Sequence, residues 1–375
     1  MCEKNSKKTG DKFIVIVFVV VICLAWFWWL LFKNFADTEN HENRYMAEFP
    51  ALSSDTYLSF SDGVNAYIDD RIPFRNELIT INDAIDYYIF RRSSSKNVVI
   101  GSDNWLFYSE PKDVDPILSY QGKDTYSEEE LEGIAQNCIK QRDIMLDQGR
   151  EFVIFIAVNK EHVYGEHMPL RYGPQAEYFG ALQIYEYLKE YTDVRVVFPY
   201  EEMLQAKKST SENIYYKADT HWNYLGGYVA ASALLKELGI DMPGLHDEGM
   251  TIEKGVPTSG DLAEMLNMDK MLSKVDNEYY VHGYEEHGSK EVQWDYYNTG
   301  IYHAENADPR KVYVIRDSFG THLAPYLGSQ FDECILRHRD TYDYNELLSY
   351  DPDVVVFELS ERFCYILDGF RIATK

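Results

Sequence analysis

The sequence predicts an α/β fold with a mostly parallel sheet flanked by helices, and its apolar patterning is the reason. Strand-like runs recur at Phe152–Val158, Val194–Phe198, Lys311–Ile315 and Asp353–Phe357, nearly unbroken in apolar residues. Strands covered on both faces read this way, whereas half-exposed strands alternate. Helical patterns separate the runs, and strand–helix alternation builds parallel sheets. An apolar content of 45% with 26% charged residues is that of a globular chain.

The first element is a single transmembrane helix. Residues 13–32 hold Phe, Ile, Val, Leu, Trp, Ala and one Cys, without a charge. As a helix this run is roughly 30 Å long, the thickness of a bilayer core. Trp26, Trp28 and Trp29 gather toward its end, where indoles favour the interface. Lys4, Lys7, Lys8 and Lys12 precede it, while Glu39 and Glu42 follow. The positive-inside rule makes residues 1–12 a cytoplasmic tail and puts the rest outside. No small-residue cleavage pattern closes the run, which outlasts a signal-peptide core. An uncleaved signal anchor is expected, giving a single-pass protein of the cell membrane.

Residues 33–95 are assigned to a stalk, polar over Asn34–Asn43, and an N-terminal helical segment. Over 77–90 apolar residues recur at three- and four-residue spacing, as on one helix face. The α/β domain is assigned to 96–375. Val98–Gly101 and Trp105–Tyr108 read as short strands around the turn Ser102-Asp103-Asn104. Ser127-Glu-Glu-Glu130 is a capping box that opens a helix to about Gln148. Further helices are expected over 180–190, over Tyr224–Leu238 with Asn223 as N-cap, and from about 320. The polar, turn-rich stretch of about 241–308 reads as an insertion.

A net charge of −26 argues against a nucleic-acid partner, which would need clustered Lys and Arg. Tyrosine is abundant at 31 copies, compatible with carbohydrate contact and equally with ordinary half-buried sheet positions. The cysteines form no CxxC pair, so Cys138, Cys334 and Cys364 are expected as free thiols, with a Cys334–Cys364 bridge left open. The histidines share no helix face at metal-ligand spacing, so neither metal nor cofactor is expected.

In open α/β sheets the chemistry gathers beyond the C-terminal strand ends. Three segments lie there. In Val312–Gly320 a buried strand runs into Asp317-Ser318, and Gly320 permits a tight turn into a helix whose free N–H groups face a developing oxyanion. Such a serine is more often only a cap. In Ala218–Asn223, Asp219 and His221 stand at i and i+2, on one side of an extended segment, so the carboxylate can orient the imidazole. Asn159, after the strand Phe152–Val158, has the amide of an oxyanion donor, or that of a turn asparagine. None of these decides the matter alone.

Together with further motifs, the segments resemble the DHHW and AlgJ/AlgX group of the SGNH superfamily. The resemblance rests on Glu42-Asn43-Arg44 to Phe49-Pro50, Asp69–Arg75, Gly101–Tyr108, Asn159-Lys160, Tyr164–Glu166, Asp219–Trp222, Ser259–Ala263, Arg316–Phe319 and Glu358–Arg362, in order along the chain. It implies an SGNH-hydrolase-like fold and a serine acyltransferase that O-acetylates an exported cell-surface polysaccharide. Asp219, His221 and Ser318 match its catalytic triad. Asn159, Arg316, Asp317, Trp222 and Arg362 are then expected beside it as oxyanion or substrate contacts. The implied acetyl donor is a polytopic membrane O-acyltransferase. Two departures stand out: Arg316 replaces the usual glycine, and Thr220 replaces a second histidine. The alternatives are an SGNH carbohydrate esterase, with water as acceptor, and a non-catalytic glycan-binding ectodomain.

Overall fold

A computed structural model describes residues 14–21, 23–24, 27–28, 30–32, 34, 46–53, 56–110, 115–285, 289–295 and 299–373. The chain divides into two compact units, Met1–Phe90 and Arg91–Lys375.

In the first unit the described residues of 14–32 are helical, and apart from half-buried Phe32 their apolar side chains are exposed, Phe18 by 63% and Leu24 by 59%. Among the described residues no helix is long and apolar enough to cross a membrane. The expected span over 13–32 falls partly outside them, as do the tail 1–12, Glu42-Asn43-Arg44 and most of the stalk. Two helices follow, Phe60–Asp69 and Arg75–Ile85, the second continued by a π turn at Asp86–Phe90. The Asp69–Arg75 motif acts here as a clasp. Asp70 accepts from the Ala47 amide at 2.6 Å, Arg71 donates to the Ala47 carbonyl at 3.0 Å, and the Arg71 guanidinium lies 3.8 Å from the Tyr67 ring.

In the second unit the strands are β1 (Val98–Ile100), β2 (Leu106–Tyr108), β3 (Glu151–Ala157), β4 (Arg195–Val197), β5 (Thr251–Thr258), β6 (Asp276–His282), β7 (Ser289–Asp295), β8 (Thr299–Ala304), β9 (Asp308–Arg316), β10 (Phe331–His338) and β11 (Val354–Ser360). A seven-stranded sheet has the order β4-β3-β11-β9-β10-β8-β7. Its β4-to-β10 portion is parallel, while β8 and β7 pair antiparallel. The sheet is therefore mixed rather than simply parallel. Val153–Val158 and Val354–Val356 are fully buried, as expected of central strands with helices on both faces.

The predicted capping box is present: Ser127 Oγ accepts from Glu130 N, and Glu130 accepts from Ser127 N, opening the helix Glu128–Leu146. Asn223 caps Tyr224–Glu237 through Gly226 N at 3.0 Å. The stretch 241–308 holds more regular structure than its composition suggests. It supplies the β5–β6 ribbon and both antiparallel strands of the main sheet. β5 is mostly exposed, contains Gly255 and Pro257 and changes register between Lys254 and Pro257, so no period-two pattern marks it. The helix expected from about 320 is a 3-10 turn, Ser318–Leu323, followed by the short helix Ala324–Gly328. Cys138, Cys334 and Cys364 are free and buried.

Candidate active site

Ser318 stands half-buried where β9 leaves the sheet. The backbone there is held from both sides. Asp317 caps the turn by accepting from Phe319 N at 2.9 Å, and its other oxygen accepts from Ser360 N at 2.7 Å, at the end of β11. Asp317 N donates to Glu358 Oε2 at 2.7 Å. Burial pushes the Asp317 carboxyl up, yet the Ser360 and Phe319 amides and the Arg362 and Arg339 charges hold it below its ordinary value. Burial, then the Asp317 charge, pushes Glu358 well above the usual range. One acid of the pair is thus ionised and the other neutral, which removes a like-charge conflict. Gly320 is required by space: a Cβ would meet Arg316 Cβ at 2.6 Å and Glu358 Oε2 at 3.0 Å.

The segment before the helix Tyr224–Glu237 folds back on itself through the Tyr215–Trp222 bridge. That turn brings Asp219 under His221. Asp219 Oδ1 accepts from His221 N at 2.9 Å and pairs with His221 Nδ1 at 2.6 Å. An ionised carboxylate only accepts, so the proton sits on Nδ1 and Nε2 is left as an acceptor. His221 Nε2 lies 2.7 Å from Ser318 Oγ. The structure thus brings together three residues from segments about a hundred positions apart. Both the His221 and Asp219 side chains keep partial access to solvent, at 17% and 19%. Burial pulls His221 down, but the Asp219 carboxylate outweighs it and the imidazole is held above its ordinary value. The same pairing holds Asp219 far below the carboxylate range despite burial.

Two supports behind this pair were not singled out from the sequence as site residues. Asp261 accepts from Thr220 N at 2.8 Å and from Thr220 Oγ1 at 2.6 Å, while its own N–H donates to Asp219 Oδ2 at 2.9 Å. Gly260 lets this loop touch the Asp219 backbone, since a Cβ would lie 2.3 Å from Asp219 Cβ. Lys160, fully buried, donates from Nζ to the carbonyl of Asp219 at 2.5 Å and to those of Tyr216 and Lys217 at 3.1 and 3.2 Å. Both belong to quoted motifs, Ser259–Ala263 and Asn159-Lys160, and that was the available signal.

The expected neighbours separate into supports and one open side chain. Trp222, expected as a substrate contact, is fully buried; its Nε1 donates to the Phe319 carbonyl at 3.1 Å and its ring packs 5.0 Å from Phe319. Asp317 and Arg316 are buried too, and Arg316 donates to the Asp317 carbonyl and to Thr321 Oγ1. These three brace the Ser318 turn from inside. Asn159 is buried; its N–H donates to Glu361 Oε2 at 2.8 Å, and its amide nitrogen has no hydrogen-bond partner among the described residues. Arg362 differs. Half-buried, it lines a hollow of about 320 Å³ with Tyr108, Thr220, Asp261 and Met265, its guanidinium 5.8 Å from the Phe319 ring.

Among the described residues, Asp219, His221 and Asp261 form a group close enough to share a cation. The Asp219 and His221 atoms are already joined to each other, so a cation there would have to displace the proton between them.

A serine at the end of a central parallel strand, facing a histidine held by an aspartate, is the arrangement of an SGNH-like α/β protein. Residues 98–335 match the family described as SGNH hydrolase-like domain, acetyltransferase AlgX, and the chain belongs to that family. It is 22% identical over 239 residues to a probable alginate O-acetylase AlgJ of Pseudomonas syringae pv. tomato, covering 62% of this chain and 57% of the relative. The AlgJ of Pseudomonas fluorescens is 24% identical over 220 residues, 58% and 52% of the two chains. The chain therefore spans little more than half the length of these relatives. In fold it is similar to Bacillus cereus PatB1, with TM-score 0.52 and 15% identity over 74% of this chain and 99% of that one. A DHHW family protein from Eubacterium siraeum gives TM-score 0.50 at 15% identity, over 73% and 96%.

Proposed function

We propose that this protein is an O-acetyltransferase that carries an acetyl group on Ser318 and delivers it to hydroxyls of a cell-surface polysaccharide. The carrying observation is the unbroken line from Asp219 through His221 to Ser318, with contacts of 2.6 and 2.7 Å. Membership of the acetyltransferase family and similarity to proteins named for alginate O-acetylation support the reading.

The steps follow from the geometry. His221 Nε2 takes the Ser318 proton as Oγ attacks the donor's acetyl carbonyl carbon. The tetrahedral oxyanion is met by N–H groups of the Ser318 turn, a contribution worth about 3 kcal/mol per donor. Arg362 adds positive charge from the adjoining hollow. The imidazolium, steadied by Asp219, returns its proton to the leaving group, and an acetyl ester remains on Ser318. In the second half a sugar hydroxyl replaces Ser318, gives its proton to Nε2 and leaves acetylated. The charge-free run 13–32 supports anchoring in the cell membrane with the α/β domain outside the cytoplasm. There a polytopic membrane O-acyltransferase would supply the acetyl group.

The test is acetyl transfer by the full chain in detergent, from a small activated acetyl ester, with and without added polysaccharide. Mass spectrometry should find acetyl on Ser318 and then on the glycan, and Ser318→Ala should abolish both. Release of acetate alone, unchanged by any acceptor, would make the protein an esterase. Equal turnover by the parent and Ser318→Ala would remove the reading.

A further inference from the structure

A second cavity, of about 380 Å³, opens beside the site between the β6–β8 region and the turn that carries Ser318. That size falls within the range of small-ligand pockets, which is roughly 300–1,000 Å³. Its walls are aromatic: Tyr224, Tyr280, Trp294 and Tyr302 line it, with Glu285 and Glu291 at its polar points. Tyr280 is 39% exposed, and Tyr224 and Trp294 are half-buried, so ring faces are offered to solvent. The inner tyrosines are fixed. Tyr302 donates to Glu291 at 3.2 Å and Tyr326 to the Tyr224 carbonyl at 2.7 Å.

The cavity adjoins the proposed chemistry. Thr321, which lines it, belongs to the 3-10 turn that begins at Ser318. The Tyr224 ring packs 4.7 Å from His322, whose ring is 6.4 Å from that of His221. One layer of side chains thus separates the cavity from the imidazole that faces Ser318.

Its chemistry selects among ligands. Flat amphipathic rings accept the C–H face of a pyranose, and carboxylates accept from its hydroxyls. Among the described residues no Lys or Arg lines the cavity, and the lining histidine His282 is held by Glu253 at 3.0 Å. A uronate carboxylate placed there would meet Glu285 and Glu291, while the Arg316 guanidinium, 5.7 Å from the Trp294 ring, is buried and not part of the lining. We infer that this cavity is a subsite for neutral hexose or N-acetylhexosamine units of a glycan. Through the proposed acetyl transfer, on which this part rests, that glycan is the acceptor, held so that a neighbouring hydroxyl reaches Ser318.

The test uses the full chain in detergent, carrying Ser318→Ala so that nothing turns over. Cellotetraose and tetra-N-acetylchitotetraose are titrated by calorimetry against a tetramannuronate at low salt. At least one neutral tetrasaccharide should bind about tenfold tighter than the uronate. Tyr280→Ala and Trp294→Ala, each added to that parent, should weaken binding about tenfold, and Trp294→Phe should restore part of it. Tyr280 is a surface strand position, so its variant carries the test if Trp294→Ala does not fold. Failure of both neutral ligands to bind, tighter uronate binding, or unaltered affinity in Tyr280→Ala would overturn the inference. Hydrolysis of 4-nitrophenyl acetate by the unsubstituted chain reports on the triad separately. Binding without hydrolysis would remove the acyl-transfer reading and leave the subsite, and hydrolysis without binding would do the reverse.

Discussion

Nζ of Lys160 lies 2.5 Å from the carbonyl oxygen of Asp219, the residue whose carboxylate holds His221. Two further carbonyls, of Tyr216 and Lys217, complete the ammonium's set of acceptors. The lysine therefore fixes the backbone from which Asp219 hangs. Lys160→Met keeps the length of the stem but leaves these acceptors unmatched, each worth about 1–3 kcal/mol if buried. The melting temperature should fall, and kcat for ester hydrolysis should drop about tenfold or more while KM stays close to the parent's. A variant that is less stable but retains kcat would make Lys160 a fold residue without a positioning role.

The contrast between Lys160 and Asp219 also shows what the sequence could disclose. Asp219 and His221 share a side of an extended segment by simple i, i+2 geometry, and Ser318 follows a strand too apolar to be anything but central. That the turn after β9, with Ser318, lies near those residues is a property of strand order, which local patterning does not encode. Lys160 holds backbone carbonyls, and Asp261 both backbone and side-chain atoms, of a loop distant in sequence, so no spacing announces them. The resemblance places Trp222 and Asp317 beside the triad as oxyanion or substrate contacts. Burial turns both inward. β7 and β8 also escaped notice: β7 is an edge strand whose register with β8 shifts between Glu291 and Gln293, and both strands are short, so they resemble turn-rich coil.

The base must be neutral to take a proton, so kcat/KM should fall as pH drops through the His221 value. Asp219 holds that value above the ordinary 6.5, and the acid limb should therefore have its midpoint above pH 6.5. Asp219→Asn removes the largest upward pull, leaving burial opposed only by the weaker pull of Asp261, so the midpoint should move down. It also offers Nδ1 the wrong partner, and the rate at the optimum should fall by about 10⁴. Rates on a small acetyl ester across pH 5 to 9 check both. A midpoint that stays in place would show that another group controls the limb.

Asp261 and Arg362 lean on His221 with opposite sign: the carboxylate raises it and the guanidinium lowers it. Asp261→Asn should shift the acid limb of kcat/KM to lower pH, and Arg362→Met should shift it to higher pH. The pair is a control for general damage, because a loosened site would move both midpoints the same way. Should the Asp261→Asn limb coincide with the parent's, Asp261 would be protonated in the working enzyme. That outcome would agree with burial and the Asp219 charge pushing its own carboxyl up.

Behind the site His162 and Glu361 form a buried ion pair, Nδ1 to Oε1 at 2.7 Å, with side chains 0% and 1% exposed. Glu361 also accepts from Ser119 Oγ at 2.9 Å and from Asn159 N at 2.8 Å, tying β3's exit to the end of β11. Removing one partner of such a pair strands the other, so Glu361→Gln should cost about 3–5 kcal/mol. The cost should depend on pH. Burial pulls His162 down, but the Glu361 carboxylate outweighs it and its folded value lies above the ordinary 6.5. A raised folded value binds protons to the native state, so the stabilisation is complete below about pH 6.5 and is lost as pH rises through the folded value. In Glu361→Gln burial is opposed only by the weaker pulls of Glu161 and Asp124, the folded value falls, and the native state must shed a proton in acid. The stability gap between parent and variant should therefore be widest at about pH 5.5 and narrow toward about pH 8.5. Urea unfolding at each pH measures it; a gap of constant size would mean that His162 is neutral throughout and that Glu361 acts only as a hydrogen-bond acceptor.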